Sequence, residues 1–137
     1  MNIEVRYLSK SGNTAKVAEA IATALNVTAK PISEQVAPDT DILFLGGAVY
    51  AFEIDDELKA FIRNLDGVKA VAVFSTTAVV KSAYSHIKPL LEKKGIKVIP
   101  TDFHCRGEFK FMRKGRPNSD DLAKARQFAL EVTASYN

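Results

Sequence analysis

The stretch Ser9-Lys10-Ser11-Gly12-Asn13-Thr14 decides how the rest of the chain is interpreted, because it joins a predicted strand to a predicted helix. Apolar residues alternate with polar ones over residues 3–7, which is the period of a strand. Over residues 17–25 they recur every three or four positions, which is the period of one helix face. A loop that ends a parallel strand and opens a helix aims unpaired N–H groups and the positive end of the helix dipole at one point. The stretch therefore predicts an anion site.

The side chains of this stretch suit a phosphate group. Gly12 lets the backbone bend and approach a ligand closely, and Lys10 adds positive charge. A turn in which Asn13 or Thr14 simply caps the following helix would use the same residue types, so the spacing alone leaves both interpretations open. The short side chains that can donate hydrogen bonds to phosphate oxygens are Ser9, Ser11, Asn13 and Thr14.

The hexamer resembles the phosphate-binding loop of the flavodoxin family, whose pattern is Thr or Ser, any residue, Thr or Ser, Gly, any residue, Thr. The order of predicted elements along nearly the whole chain also resembles that of a short-chain flavodoxin. Other phosphate signatures fit less well, since there is no GxxxxGK loop followed by Ser or Thr, and no arginine follows Cys105 at the phosphatase spacing. The residues that match the flavodoxin pattern are Ser9, Ser11, Gly12 and Thr14.

Five predicted strands alternate with helical segments, one of which is predicted to begin after a cap at Asp55 and the last after a cap at Asn118 or Ser119. This alternation predicts an α/β fold with a doubly wound five-stranded parallel sheet and helices on both faces. The resemblance implies the flavodoxin-like strand order 2-1-3-4-5, with ligands bound where the order reverses, between strands one and three. At 137 residues the whole chain, residues 1–137, is expected to form one domain. The predicted strands are residues 3–7, 27–32, 41–45, 70–75 and 96–100.

The crossover between the second and third strands is short. Residues 33–41 are interrupted by Pro38 and leave room for a turn of helix at most, so this crossover should cover the sheet poorly. Glu4 and Arg6 share one face of the first strand, although a buried parallel strand is ordinarily apolar on both faces. We expect the two side chains to face this thinly covered, partly wet region and to pair with each other.

By the same resemblance, three loops at one edge of the sheet hold flavin mononucleotide (FMN). The first takes the phosphate, and the loops after strands three and four sandwich the isoalloxazine ring. Tyr50 either stacks on the ring or fills the loop core. Residues 76–81 contain no aromatic residue, so the outer face of the ring falls to Val79, to an aromatic residue of a later loop, or to a partner. The residues assigned to the ring are Ala48, Val49, Tyr50, Ala51, Thr76, Thr77, Ala78 and Val79.

The net charge of +3 lies in residues 102–117, which are expected to form a basic loop after the fifth strand. Such a loop would lie at the edge of the flavin loops and could dock an acidic redox partner, because opposite charge speeds association. It could equally be a solvated loop whose aromatic residues pack underneath, and it contains no recognised nucleic-acid motif. Its charged residues are Asp102, Arg106, Glu108, Lys110, Arg113, Lys114 and Arg116.

The single cysteine, Cys105, excludes an internal disulfide and a cysteine-based metal cluster. His104 and Arg106 beside it could lower the pKa of its thiol and make it reactive, but a buried, inert thiol is the expectation that we carry forward. No acid–base catalyst is recognisable from spacing. No apolar run approaches the length of a membrane helix and no signal-peptide pattern is present, so we expect a cytoplasmic protein.

Three functions are compatible with these observations. The first is a flavodoxin-type electron carrier, which needs no catalytic side chain because the flavin supplies the chemistry. The second is a small FMN-dependent oxidoreductase that takes hydride from NAD(P)H and passes it to a quinone, a flavin or another acceptor. The third is a flavin-free module that uses the same fold to bind an acidic partner.

Overall fold

The computed structural model describes residues 1–50, 53–77, 82–107 and 115–136, with the backbone alone at Tyr50. Strands and helices alternate through most of these residues, as the sequence predicts. The helices are α1 (Asn13–Leu25), α2 (Asp56–Arg63), α3 (Tyr84–Glu92) and α4 (Ser119–Tyr136). The strands are β1 (Ile3–Tyr7), β2 (Ala29–Pro31), β3 (Thr40–Tyr50), β4 (Glu53–Ile54), β5 (Val68–Thr77), β6 (Lys97–Val98) and β7 (Phe103–Arg106).

The strands form one sheet in the order β2-β1-β3-β5-β6, and every pair along this path is parallel. In β1 and β3, Ile3 lies opposite Ile42 and Tyr7 lies opposite Gly46. Strand β5 is the predicted fourth strand, and β6 begins the predicted fifth. The doubly wound parallel fold and the order 2-1-3-4-5 are therefore confirmed, with β4 and β7 as additional strands.

Each face of the sheet carries its own apolar core. Along β3, Ile42 and Phe44 belong to the core under α1 and α4, whereas Leu43 and Leu45 belong to the core under α2 and α3. This alternation is what a strand buried on both faces requires. Helix α4 supplies Ala125, Phe128, Ala129 and Val132 to the first core, and α2 and α3 supply Leu58, Ile62, Ile87 and Leu91 to the second.

The predicted fifth strand is divided in two. Strand β6 pairs with Ala70 and Val71 near the start of β5, and β7 pairs with residues 74–77 at its end. Pro100 lies between the two pieces and has no N–H to donate, so the ladder is interrupted there. The prediction that the basic loop begins at residue 102 is consequently wrong for residues 103–106, which form a parallel strand.

The third strand is longer than predicted. Strand β3 continues past Gly46 and Gly47 to Tyr50 and then forms a short antiparallel hairpin with β4, in which Val49 lies opposite Ile54. The prediction that a loop starts at Ala48 is therefore wrong. The apolar run from Ala48 to Tyr50 suits the extended backbone of a strand.

The crossover between β2 and β3 contains no helix, as expected, and a groove of about 700 Å³ lies between it and α2. The predicted pairing of Glu4 with Arg6 is confirmed, with Arg6 Nη2 at 3.0 Å from Glu4 Oε1. The expectation of a partly wet Arg6 is wrong, because this residue is only 1% exposed. Its guanidinium donates to the carbonyl oxygens of Val5, Glu34 and Gln35 and so holds the crossover over itself.

Two helix starts are capped by side chains. Asp55 Oδ1 accepts a hydrogen bond from Glu57 N at 2.8 Å, which confirms the predicted cap of α2. At α4, Asn118 Oδ1 accepts from Asp121 N and Asp121 Oδ2 accepts from Asn118 N, so the two residues cap each other. The sequence prediction of a cap at residue 118 or 119 is confirmed at Asn118.

Candidate phosphate and cofactor site

The loop after β1 lies where the strand order reverses, because β2 is on one side of β1 and β3 is on the other. Leu8 N donates to Gly46 O at 3.0 Å and extends the pairing with β3 by one residue. Gly46 allows close packing here, since a Cβ at this position would lie 2.0 Å from the ring of Phe74 in β5. The ends of β1, β3 and β5 are thus packed tightly at one edge, which is where ligands bind in this class of fold.

The turn into α1 has the geometry of an anion site. Gly12 is the N-cap residue, with φ +90°, and a Cβ at this position would have no heavy atom within 4 Å. Its backbone N–H donates to Ser9 Oγ at 3.1 Å. No side chain caps the helix and its first turn holds no acidic residue. The alternative in which Asn13 or Thr14 caps the helix is therefore wrong.

Asn13 and Thr14 are both buried, in the first turn of α1. Thr14 Oγ1 lies 2.8 Å from Thr76 Oγ1 at the end of β5. A Cβ at Gly107 would lie 2.8 Å from Asn13 Nδ2, so the backbone after β7 also packs closely against this turn. The structure therefore joins the loop of residues 9–14 to two other parts of the same edge, and these contacts fix the orientation of the first turn of α1.

Lys10 forms an ion pair with Asp55, which the sequence predicts only as the cap of a helix. Its Nζ lies 2.9 Å from Asp55 Oδ2, and its side chain is about half exposed. The hydrogen bond from Lys10 and then that from the backbone of Glu57 lower the pKa of Asp55. The charge of Lys10 is thus partly compensated by Asp55. The only feature of the sequence that could have indicated this ion pair is the position of Asp55 before a helix at the same edge of the sheet.

The structure describes only some of the residues that were assigned to the flavin ring. Ala48 in β3 and Thr76 in β5 lie opposite each other, so the two predicted ring loops leave the sheet side by side. Val49 is partly buried in the hairpin with β4, and Thr77 is buried at the end of β5. The side chain of Tyr50 and the residues Ala51, Ala78 and Val79 lie outside the described residues.

The residues present fit the phosphate of FMN. An uncapped helix start, a glycine with positive φ and short hydroxyl side chains at Ser9 and Ser11 provide donors without a competing carboxylate in the first helical turn. The neighbouring ends of β3 and β5 give the loops that would flank a ring a common base. This donor set suits a dianionic phosphate better than a neutral ligand.

Within residues 1–50, 53–77, 82–107 and 115–136, no three His, Cys, Asp or Glu residues gather as metal ligands. Cys105 is buried, as expected, and this burial raises the pKa of its thiol to about 12, so that little thiolate is present near neutral pH. No helix of these ranges is long and apolar enough to cross a membrane.

The strand order, the crossover helices and the turn between β1 and α1 define a doubly wound α/β protein with a helix start, capped by no acidic residue, at its switch point. The family described as flavodoxin domain matches residues 4–114. The chain therefore belongs to the flavodoxin family. Proteins of this family generally bind FMN, so membership supports a flavin-related redox function.

Individual proteins resemble the chain over most of its length. An uncharacterized protein of Methanocaldococcus jannaschii is 28% identical over 88% of this chain and 89% of that protein. Oxidised flavodoxin 2 from Bacillus cereus is 20% identical, with a TM-score of 0.75 over 98% of this chain and 99% of that one. An NADH:FMN oxidoreductase in its apo form is 17% identical, with a TM-score of 0.71 over 98% and 89% of the two chains. At these identities the two solved structures support the fold.

Proposed function

We propose that this protein binds FMN and carries electrons between redox partners, as a flavodoxin does. The observation that carries the proposal is the uncapped start of α1, with Gly12 at φ +90° at the switch point of the sheet. Family membership and the likeness to flavodoxin 2 over nearly its whole chain support the same function.

In this proposal each part of the edge has a separate task. The backbone N–H groups at the start of α1 and the hydroxyl groups of Ser9 and Ser11 bind the phosphate, with Ser9 also accepting the hydrogen bond from Gly12 N. Thr76 orients the first turn of α1 through its hydrogen bond to Thr14. The hairpin formed by β3 and β4 and the segment that follows Thr77 cover the two faces of the ring and exclude water from it. Bound FMN supplies the redox chemistry.

The test is an absorption spectrum of the purified protein with and without added FMN, followed by a fluorescence titration of the variant Gly12→Asp. This change adds negative charge at the helix start and puts a side chain on a backbone with positive φ. Losing two charge-assisted hydrogen bonds should weaken FMN binding at least about a hundredfold.

The matched control is Gly95→Asp. Gly95 also has positive φ (+73°), and a Cβ there would likewise have no heavy atom within 4 Å, but it lies between α3 and β6. This variant should carry similar backbone strain and bind FMN like the wild type. If Gly12→Asp bound FMN as tightly as Gly95→Asp, the proposed phosphate site would be wrong.

A second candidate is an FMN-dependent NAD(P)H oxidoreductase, favoured by the likeness to an NADH:FMN oxidoreductase. The two functions differ in where the electrons come from. An oxidoreductase loaded with FMN oxidises NADH or NADPH without an added reductase, whereas a carrier does so only when a reductase is present. The absorbance of NADH at 340 nm distinguishes the two functions. It falls both with and without an added reductase if the protein is an oxidoreductase, and only with the reductase if the protein is a carrier.

We further propose that the carrier meets an acidic redox partner through the basic segment of residues 102–117. Within this segment, residues 103–106 form strand β7 beside the end of β5. This supports a position of the segment near the proposed flavin loops. Lys110, Arg113 and Lys114, which contribute most of its charge, lie outside the described residues.

A further inference from the structure

A polar cavity of about 280 Å³ lies at the end of β7, between this strand and the start of α4. It shares Thr77 with the residues assigned to the flavin ring and none with the phosphate loop. Its polar lining is Thr77, His104, Arg106, Arg116, Asp121 and Lys124.

The negative charge of this cavity is already compensated. Arg116 donates from Nε and Nη2 to the two carboxylate oxygens of Asp121, at 2.5 and 2.7 Å. These hydrogen bonds, ahead of the other causes, lower the pKa of Asp121. Cys105 also lines the cavity, but its thiol, with a pKa of about 12, stays protonated near neutral pH. Neither group therefore repels an anion strongly.

The positive charge is only partly compensated. Lys124 Nζ lies 3.1 Å from Asp120 in an exposed pair, which is a weak interaction in water. His104 Nδ1 lies 3.3 Å from Asp102 Oδ2. Arg106 is partly buried, and its guanidinium makes neither a hydrogen bond nor an ion pair with any described residue. A partly buried cation with no ion-pair partner among residues 1–50, 53–77, 82–107 and 115–136 favours the binding of an anion.

We propose that this cavity binds a phosphate group, with Arg106 as its main ligand and with Lys124 and His104 as further donors. A guanidinium offers five N–H groups in a plane and matches a phosphate with two parallel hydrogen bonds. Three cationic or polar side chains around one small cavity suit a dianion with three acceptor oxygens better than a carboxylate with two. The group can belong to free phosphate or to a nucleotide such as one carrying a 2′-phosphate.

The test is a titration of inorganic phosphate into FMN-saturated protein. The ¹H–¹⁵N NMR signals of Arg106 Nε–H and of the β7 amides are monitored during the titration. Ionic strength is held constant with sodium chloride. We expect saturable shifts, and Arg106→Gln should weaken binding at least about tenfold. The charge-matched control Arg126→Gln, at an exposed position of α4 outside the cavity, should leave the affinity within about twofold.

The same titration in the Gly12→Asp variant separates this site from the flavin site. Phosphate should shift the β7 signals there as well, whether or not the protein binds FMN. Equal weakening by Arg106→Gln and Arg126→Gln would overturn the proposal, as would the absence of saturation or equal binding of acetate. Adenosine 2′-phosphate distinguishes the sources: tighter binding than phosphate assigns the cavity to a nucleotide, and equal binding assigns it to the free ion.

Discussion

The hydroxyl groups of Thr14 and Thr76 lie 2.8 Å apart, and the two residues are 1% and 2% exposed. Either change to valine leaves the other hydroxyl buried without this partner, which costs about 1 to 3 kcal/mol. We expect Thr14→Val and Thr76→Val each to lower the free energy of unfolding by this amount, as measured by urea denaturation.

The double variant provides the internal control for this pair. With both hydroxyl groups replaced by methyl groups, no polar atom is left unpaired, so the double variant should be more stable than the sum of the two single losses predicts. Strict additivity of the losses would show that the hydrogen bond contributes nothing.

At the scale of single residues, the sequence predicted which residues form the turn at the start of α1. It did not predict which residues from distant segments contact this turn. The residues from Ser9 to Thr14 form one turn with Gly12 in the left-handed region, as the motif requires. The pairing of Lys10 with Asp55 was missed, because the contact joins segments 45 positions apart and the only signal for it was the position of Asp55 before a helix at the same edge. The contact of Thr14 with Thr76 was hidden for the same reason.

The crossover between β2 and β3 depends on one side chain. Arg6 pairs with Glu4 and donates to three carbonyl groups, and its removal leaves Glu4 and these carbonyls without their cation. We expect Arg6→Ala to lower the free energy of unfolding by about 3 to 5 kcal/mol. Urea denaturation measures the loss, and hydrogen exchange at residues 34–37 should rise more than in the sheet.

Arg126→Ala is the control for this experiment, because it removes an arginine at an exposed position of α4. Its effect should stay within about 0.5 kcal/mol. If Arg6→Ala were equally mild, the guanidinium would not be what holds the crossover.

The start of α4 makes stability depend on pH. Hydrogen bonds from Arg116, the largest cause, hold the pKa of Asp121 below its ordinary value of 3.8. A lowered pKa in the folded state means that this contribution is present above pH 4 and is lost as the pH falls through the folded pKa. Asp121→Asn should therefore be less stable than the wild type at pH 7, by about 1.5 to 3 kcal/mol.

The difference between the two proteins should shrink as the pH falls below 4, because the wild type then progressively loses the contribution that the variant lacks. Urea denaturation at pH 7, 4 and 2 gives both curves. A difference that stays constant over this range would contradict the role assigned to the Arg116–Asp121 pair.

The elements themselves were predictable where local pattern and burial agree. The bounds of β1 and the cap of α2 follow directly from apolar spacing and from Asp55. The extension of β3 beyond its two glycines was missed because Gly-Gly is read as the end of a strand, whereas here Gly46 and Gly47 make room for Phe74 and Leu58. The burial of Arg6 was missed because its partners are backbone carbonyls, which no side-chain pattern reveals.

For the whole molecule, the position of its charge predicts the salt dependence of its reactions. Changing Lys110, Arg113 and Lys114 to glutamate should leave FMN affinity nearly intact. It should slow electron transfer to an acidic partner, because opposite charge accelerates association and salt screens it. Stopped-flow rates with an acidic reductase should fall with salt for the wild type and stay level or rise for the variant.

A matched variant changes the same amount of charge elsewhere, at the exposed residues Lys30, Lys93 and Arg126. This second triple variant should keep most of the rate and the sign of the salt dependence. If both variants behaved alike, net charge and not the basic segment would govern the encounter, and the docking role would be abandoned.

The distribution of the first core along the chain has a consequence for synthesis on the ribosome. This core combines Val5 and Ile21 from the first elements with Ala125, Phe128 and Ala129 from α4. A nascent chain therefore cannot close it until residues 119–136 have emerged. Until then the apolar faces of β1 and α1 remain available to chaperones, and the proposed phosphate site cannot be completed before α4 has been synthesised.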